Sequence, residues 1–392
     1  MRASLVGTRP ASAVDAAAFR ARFPALAQTA HLASCSLGAR SVDLDAAMEA
    51  MLADMASEGA PWGRFEDQVT EARGRFASLI GARPQQVAVV PNASVGAYQI
   101  ASTIDWSRRP RLVTSRVEFP SLGHVWLAQQ HNGADITFTA SPDEQAQHLD
   151  ERTALVSVPL VDYRDARRWP VRHIADRAHA LGARVIVDAY QAVGVQPVDV
   201  TELGCDFLVA GSMKYLLGLP GVAFLYVKSP ELVDRTPVLT GWFGRVNPFS
   251  FTPDQLDFPP EARKFETGTP AVPACYAAAA GLRLISSLDL VNVRDHVLGL
   301  SMLATDQLTA AGERVQAAPP GQRGAHIAIK DRDPVRLAAF LARRRVIASP
   351  RGDLLRLSFH FYNDTADVEA ACAAIAAYRA QRPESNIHPT PR

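Results

Sequence analysis

The sequence predicts an α/β protein in two parts: a large domain on a mostly parallel, seven-stranded sheet, and a smaller α+β domain after it. Three observations carry that expectation. From residue 86 to 227 short apolar runs alternate with helical patterns, as expected of parallel strands covered by helices on both faces. One crossover is legible in full at 170–188. From 271 the pattern changes to an Ala-rich helix, further helices and two strand–helix pairs. A chain of 392 residues, 48% of them apolar, suits one large domain and a smaller one.

In order along the chain, residues 1–30 form an Ala/Arg-rich arm, and 31–40 (HLASCSLGAR) read as a short strand ending at a turn at Gly38. The whole arm, 1–40, is expected to pack with the small domain. Helical patterns fill 42–58 and 65–80. Strands are expected at Val87 to Val90, Leu112 to Thr114, Ile136 to Phe138, Ala154 to Val158, Val185 to Val187, Phe207 to Ala210 and Val222 to Val227. In the crossover, Pro170 suits a first helical turn, Val171, Ile174, Ala175 and Ala178 make one apolar stripe, and Gly182 ends the helix before the next strand. The large domain is thus assigned to 41–272 and the small one to 273–382. The small domain holds strands near His326 to Ile329 and Leu354 to Phe359, and helices at 334–344 and 364–380. Residues 383–392 read as a loose polar tail.

Composition excludes several function classes. A formal net charge of +1 with 21% charged residues gives no footprint for a nucleic acid. The cysteines Cys35, Cys205, Cys275 and Cys372 are far apart and form no C-x-x-C pair, which suggests neither a disulfide framework nor a metal site and fits a reducing cytoplasm. No signal peptide is legible, and no run of 18 uncharged apolar residues suggests a membrane span. No Gly-x-Gly occurs, so the usual dinucleotide fingerprint is missing.

In an open parallel sheet, functional side chains gather beyond the C-terminal ends of strands. Asp188 follows one strand directly and Lys214 comes soon after the next, so both can face one bound molecule. A lysine amine and a carboxylate so placed meet the needs of pyridoxal 5′-phosphate (PLP): a Schiff-base partner, and an acid that keeps the pyridine nitrogen protonated. A structural ion pair explains the spacing equally well. Only four lysines exist; Lys228 reads as a strand-end surface residue, and Lys264 and Lys330 sit among charges.

The stretch VIVDAYQAVGVQPVDVTELGCDFLVAGSMKYLLGLPGVAFLYV, residues 185–227, resembles the cofactor signature of the class V aminotransferase superfamily of fold-type-I PLP enzymes, which includes kynureninases, cysteine desulfurases and isopenicillin N epimerase. The resemblance spans about 20–375. It implies that Asp188 pairs with the pyridine nitrogen, Gln191 contacts the ring hydroxyl, Ser212 binds phosphate and Lys214 forms the Schiff base. PNASVGAYQIAS (91–102) is similar to the family's phosphate loop, with Ser94 and Val95 at the matching positions; as a bare motif, helix capping by Asn92 or Ser94 explains it as well. VEFPSLGH (117–124) resembles the kynureninase-type segment, which puts Phe119 on the cofactor ring, although a lone Phe after a strand more often packs in a core. Tyr163 falls where relatives carry an Asn or Tyr near the ring; otherwise it is a surface-loop tyrosine.

GWFGRVNPF and ARKFETGTP (241–249 and 262–270) resemble the family's mobile loop and Gly-Thr pair. That likeness implies a homodimer in which Thr269 reaches the neighbouring subunit's phosphate. Trp242 either walls the site or anchors the interface. RLSFHFYNDTADVEA (356–370) matches the family's ending, and Arg356 is the expected binder of the substrate α-carboxylate.

For the reaction, the nucleophilic cysteine of desulfurases is absent from VIASPRGDLLR (346–356), and Gln191 replaces the histidine usual in kynureninases. Cys35 and Ser36 lie in the segment that approaches substrate in relatives, though free cysteine is more often buried than reactive. The expectation is an enzyme that joins a small α-amino acid to the cofactor and abstracts its Cα proton. It then cleaves a Cβ bond, as in a cysteine-conjugate-like lyase, or transaminates. An epimerase or a catalytically silent PLP-binding regulator are the alternatives.

Overall fold

The computed structural model describes residues 15–233 and 235–381. The loose tail expected at 383–392 and the first fourteen residues of the arm lie outside the described residues. Strand β1 is Ala30–Leu32. The large sheet contains β2 (Val87–Val90), β3 (Arg111–Ser115), β4 (Asp135–Thr139), β5 (Thr153–Pro159), β6 (Arg184–Asp188), β7 (Phe207–Gly211) and β8 (Ala223–Val227), in the order β2-β8-β7-β6-β5-β3-β4. Every strand expected in the large sheet is present, within about two residues at each end.

Alternate residues of these strands enter two different cores. Val185 and Val187 of β6 join one cluster and Ile186 the other; Leu208 and Ala210 of β7 oppose Phe207 and Val209 in the same way. A sheet buried on both faces reads as unbroken apolar runs, which is why its strands are legible. Six helices lie between or before its strands: α1 (Ala16–Arg20), α2 (Val42–Glu58), α3 (Trp62–Leu79), α4 (Ala93–Ser102), α5 (Pro120–Ala128) and α6 (Pro142–Gln147). Two more, α7 (Val171–Ala180) and α8 (Val200–Leu203), flank β6. Asn92 caps α4 by accepting from the Val95 N–H at 3.0 Å, and Ser41 caps α2 through Leu44.

Three details refine or depart from the reading. β8 runs antiparallel to both neighbours, because residues 212–222 are too short for the crossover that a parallel pair requires. The second helix starts at Trp62 rather than 65. Pro170 precedes the first helical residue of α7 instead of occupying its first turn. Because β2 is antiparallel to β8, it is again parallel to β7, so the C-terminal ends of β2, β3, β5, β6 and β7 share one edge.

The C-terminal region contains α9 (Val272–Ser286), α10 (Leu290–Ala310), β9 (Val315–Gln316), β10 (His326–Lys330), α11 (Pro334–Ala342), β11 (Val346–Arg351), β12 (Leu354–Ser358) and α12 (Thr365–Ala380). Its sheet runs β1-β11-β12-β10-β9. β1 pairs in parallel with β11, Ala30 opposite Val346, so the arm supplies an edge strand to this sheet. β1 ends at Leu32 and the chain turns at 33–37, where the Ser36 and Leu37 N–H groups both donate to the Ala33 carbonyl; the turn expected at Gly38 lies before it. Strand β11 was not expected. Arg20 fastens α1 to the other end of the region: its guanidinium donates to Asp367 and to the carbonyls of Tyr362 and Leu26. Among the described residues no single helix is long and apolar enough to cross a membrane.

Candidate active site

Lys214 follows β7 in a tight segment held from three sides. The Gly38 N–H donates to the Met213 carbonyl at 2.9 Å, and a Cβ at Gly38 would lie 2.5 Å from the Lys214 carbonyl oxygen. The Ser212 hydroxyl donates to the Leu219 carbonyl at 2.7 Å and reaches the Val222 carbonyl at 3.2 Å, closing the turn that returns to β8. His360 Nε2 lies 3.0 Å from the Tyr215 carbonyl oxygen.

The Lys214 side chain is buried and enters a cavity of about 260 Å³. Its Nζ lies 4.1 Å from the centre of the Tyr190 ring and 5.4 Å from that of Phe119. Burial pushes the amine down to about 8, against the opposing pull of Asp188. A lysine so shifted gives up its proton more readily than an exposed one; Lys330 instead pairs with Asp353 at the surface. Lys264, expected among charges, donates to the Pro230 carbonyl at 2.8 Å.

Asp188 ends β6, buried, with Oδ1 accepting the Tyr190 N–H at 2.8 Å. Burial raises its carboxyl, while that hydrogen bond and the charge of Lys214 oppose the rise. Gln191 donates from Nε2 to the Cys35 carbonyl at 3.0 Å, and its buried Oε1 has no partner. Arg356 is 1% exposed; Nη1 donates to the Tyr163 carbonyl at 2.6 Å and Nη2 to the Ser349 hydroxyl at 2.8 Å, leaving Nε unpartnered. The Phe119 and Tyr163 rings meet edge to face at 5.2 Å.

Nine of the residues singled out in the sequence line this one cavity: Cys35, Ser36, Ser94, Phe119, Tyr163, Asp188, Gln191, Lys214 and Arg356. Four do not. The Val95 N–H is taken by the Asn92 cap. Ser212 spends its hydroxyl on the β7–β8 turn. Thr269 lines a smaller crevice of about 30 Å³ that shares Pro91, Gly221 and Val222 with the cavity wall. Trp242 belongs to an aromatic cluster, edge-on to Trp62 at 5.8 Å and stacked with Phe251 at 6.1 Å.

Three residues were missed. Tyr190, between the marked Asp188 and Gln191, presents its ring to Lys214; Gly211 makes room for it, since a Cβ there would lie 1.9 Å from the Tyr190 hydroxyl. Arg351 lines the cavity from the end of β11. Glu118 is buried beside Phe119, with Oε2 accepting from the Ser157 hydroxyl at 2.6 Å and Oε1 from the Phe119 N–H at 3.2 Å. Burial first, then the charge of Asp188, pushes its carboxyl up to about 8. A charged residue beside an aromatic after a strand was the available signal.

A doubly covered sheet with a buried lysine, its amine lowered by burial, and an aspartate at adjoining strand ends is the arrangement of a fold-type-I PLP-dependent enzyme. The comparisons agree. The aminotransferase class-V family model matches residues 52–371, and the chain belongs to that family. It is 36% identical over 366 residues to an uncharacterized aminotransferase, YcbU, of Bacillus subtilis, covering 92% of this chain and 97% of the relative. It is 30% identical to a kynureninase of Deinococcus radiodurans, over 81% of this chain and 78% of that protein. The fold superposes on the cysteine desulfurase CsdA of Escherichia coli with a TM-score of 0.83 at 21% identity, covering 94% of this chain and all of the other.

Proposed function

We propose that the enzyme acts on a small α-amino acid, holding its α-carboxylate at Arg356 and moving its Cα proton through Lys214, with Cβ-bond cleavage or transamination as the outcome. The observation that carries this reading is the cavity itself, lined together by Lys214 and Asp188 from adjoining strand ends and by Arg356 of β12. The residues present fit PLP: Gln191 offers a buried acceptor with no donor, the Ser94 hydroxyl at the start of α4 makes no hydrogen bond among the described residues, and the cavity is lined by aromatic faces. Bound there, PLP withdraws electrons from the bonds at the substrate's Cα.

The chain's own groups would do the rest. Asp188, oriented by the Tyr190 N–H, would hold the ring nitrogen; Ser94 and the first amides of α4 would take the phosphate. Phe119 would lie against the ring. Lys214, its amine pushed down to about 8 by burial, would accept the Cα proton and return it. Tyr163 and Ser349 hold the Arg356 fork through its Nη atoms, which fixes where a carboxylate can dock. Cys35, Ser36 and Arg351 would meet the substrate's side chain. The B. subtilis relative carries the name of an aminotransferase, and that favours transamination over cleavage.

The visible spectrum of the purified protein tests the cofactor site. A protein-bound PLP band that borohydride reduction fixes covalently to the chain is expected, and Lys214→Ala should abolish the reduced adduct; an adduct that survives moves the attachment elsewhere. An amino-acid panel then separates the outcomes. Product that requires a keto-acid acceptor indicates transamination, and pyruvate with ammonia and no acceptor indicates Cβ cleavage.

A further inference from the structure

The connection from β5 to α7 passes through the Lys214 cavity at Tyr163 and, five residues later, reaches a second cavity of about 240 Å³ with Arg168. This second cavity lies between the two sheet regions. Arg168 and Gln196 wall it from the large region; Arg294 and Asp295 of α10, with Arg323 before β10, wall it from the C-terminal region.

Its polar lining is incomplete in a consistent way. Arg168 is half-buried and makes no ion pair among the described residues, and its guanidinium is destabilised by burial and then by the like charge of Arg294. Arg323 is buried; Nε donates to the Ala318 carbonyl and Nη1 to the hydroxyls of Ser301 and Thr305, while Nη2 makes no hydrogen bond among the described residues. Gln196 is 3% exposed, and its buried Nε2 has no acceptor. Among the described residues the lining holds one carboxylate, Asp295, which is paired with Arg294 at 2.8 Å and stands 60% exposed. Three guanidinium groups thus line the cavity beside one carboxylate, with Asp306 a further negative charge acting on Arg323, and the buried unfilled position at Gln196 is a donor. Gathering like charges in a partly enclosed space is unfavourable unless an anion joins them.

We propose that this cavity binds a small doubly charged oxyanion, a phosphate or dicarboxylate group, between Arg168 and Gln196 on one side and Arg294 and Arg323 on the other. Arginine forks suit such oxygens in pairs, and the volume admits a small metabolite that carries the group. Bound there, the anion ties the two regions together at the base of the connection that carries Tyr163 and, through it, Arg356. The site is separate from the PLP cavity, and the inference does not depend on the reaction proposed above.

Holoenzyme, whose cofactor phosphate position is already filled, is titrated calorimetrically in chloride buffer with inorganic phosphate and, in a second arm, with succinate. Saturable binding of one anion per chain by at least one probe is expected, with a rise in thermal midpoint that grows with concentration. Arg168→Gln and Arg294→Gln, both at partly exposed positions, should each weaken binding about tenfold or more while leaving the cofactor absorbance intact. Phosphate binding alone assigns a phosphate ligand, and succinate binding alone a dicarboxylate. The inference is overturned if neither probe binds saturably, or if binding is undiminished in both variants.

Discussion

Glu118 and Asp188 put two carboxyl groups in one buried neighbourhood, and like charges there do not both ionise freely. Glu118 has a folded value near 8 against an ordinary 4.5, so between those limits the folded protein keeps a proton that the unfolded chain has lost. Stability therefore falls as pH rises from 4.5 toward 8. Glu118→Gln retains an acceptor for the Phe119 N–H and a partner for Ser157, and it removes the titration. In urea melts of cofactor-free protein, the variant should gain on the wild type by on the order of a few kcal/mol between pH 5 and pH 9; parallel curves would place the proton elsewhere. Arg356 makes a sharper kinetic case. Arg356→Lys keeps the charge and loses the fork, so kcat/KM should fall about 10²-fold, roughly 3 kcal/mol. The loss should lie mainly in KM, with the cofactor spectrum unchanged. A fall in kcat alone would remove the α-carboxylate from that position.

At the scale of elements, the site depends on close packing between the segment after β1 and the segment after β7. A methyl group at Gly38 meets the Lys214 carbonyl oxygen at 2.5 Å and the Leu217 side chain at 2.9 Å, and the first of these is backbone. Gly38→Ala should destabilise the fold by about 1–3 kcal/mol and loosen cofactor retention, read by thermal melts and by absorbance after dialysis; full retention would show that the arm is independent of the lysine. That contact was not legible in the sequence, where Gly38 read only as a turn, because close approach depends on a partner 176 positions away. The strands from β2 to β8 were legible because burial on both faces makes apolar runs. β11 was not, since Val346–Arg351 mixes buried and partly exposed positions and includes Pro350. Lys214 and Asp188 were marked by type and place after a strand, though a structural ion pair explains these equally well without the family resemblance, and Arg356 was marked by that resemblance and by its place inside an apolar strand. Tyr190 and Glu118 were not, because their role comes from which strand ends adjoin.

Across the whole molecule, the loop after β8 leaves an aromatic surface that one chain does not cover. Phe251 is 74% exposed and stacks with Trp242, which also meets Trp62 and Phe249 edge-on. Leu256 nearby in sequence is 62% exposed. Contiguous apolar surface of this kind marks an association site. The base of the same loop is fixed: Gln99 of α4 donates at 2.7 Å to both the Leu239 and Phe265 carbonyls, and Arg73 pairs with buried Glu266 at 2.8 Å. Thr269 emerges just beyond, exposed, outside its own chain's Lys214 cavity but against the wall that cavity shares. We propose that a second copy docks on this surface and brings Thr269 to the neighbouring chain's cofactor phosphate. Sedimentation velocity of the holoenzyme should therefore give a dimer, and Phe251→Asp with Leu256→Asp should give a monomer that loses PLP on dialysis. Thr269→Ala should stay dimeric and hold PLP less tightly. A wild-type monomer with full PLP retention would mean that each cavity is complete in one chain, and Thr269 would then be a crevice residue with no part in binding.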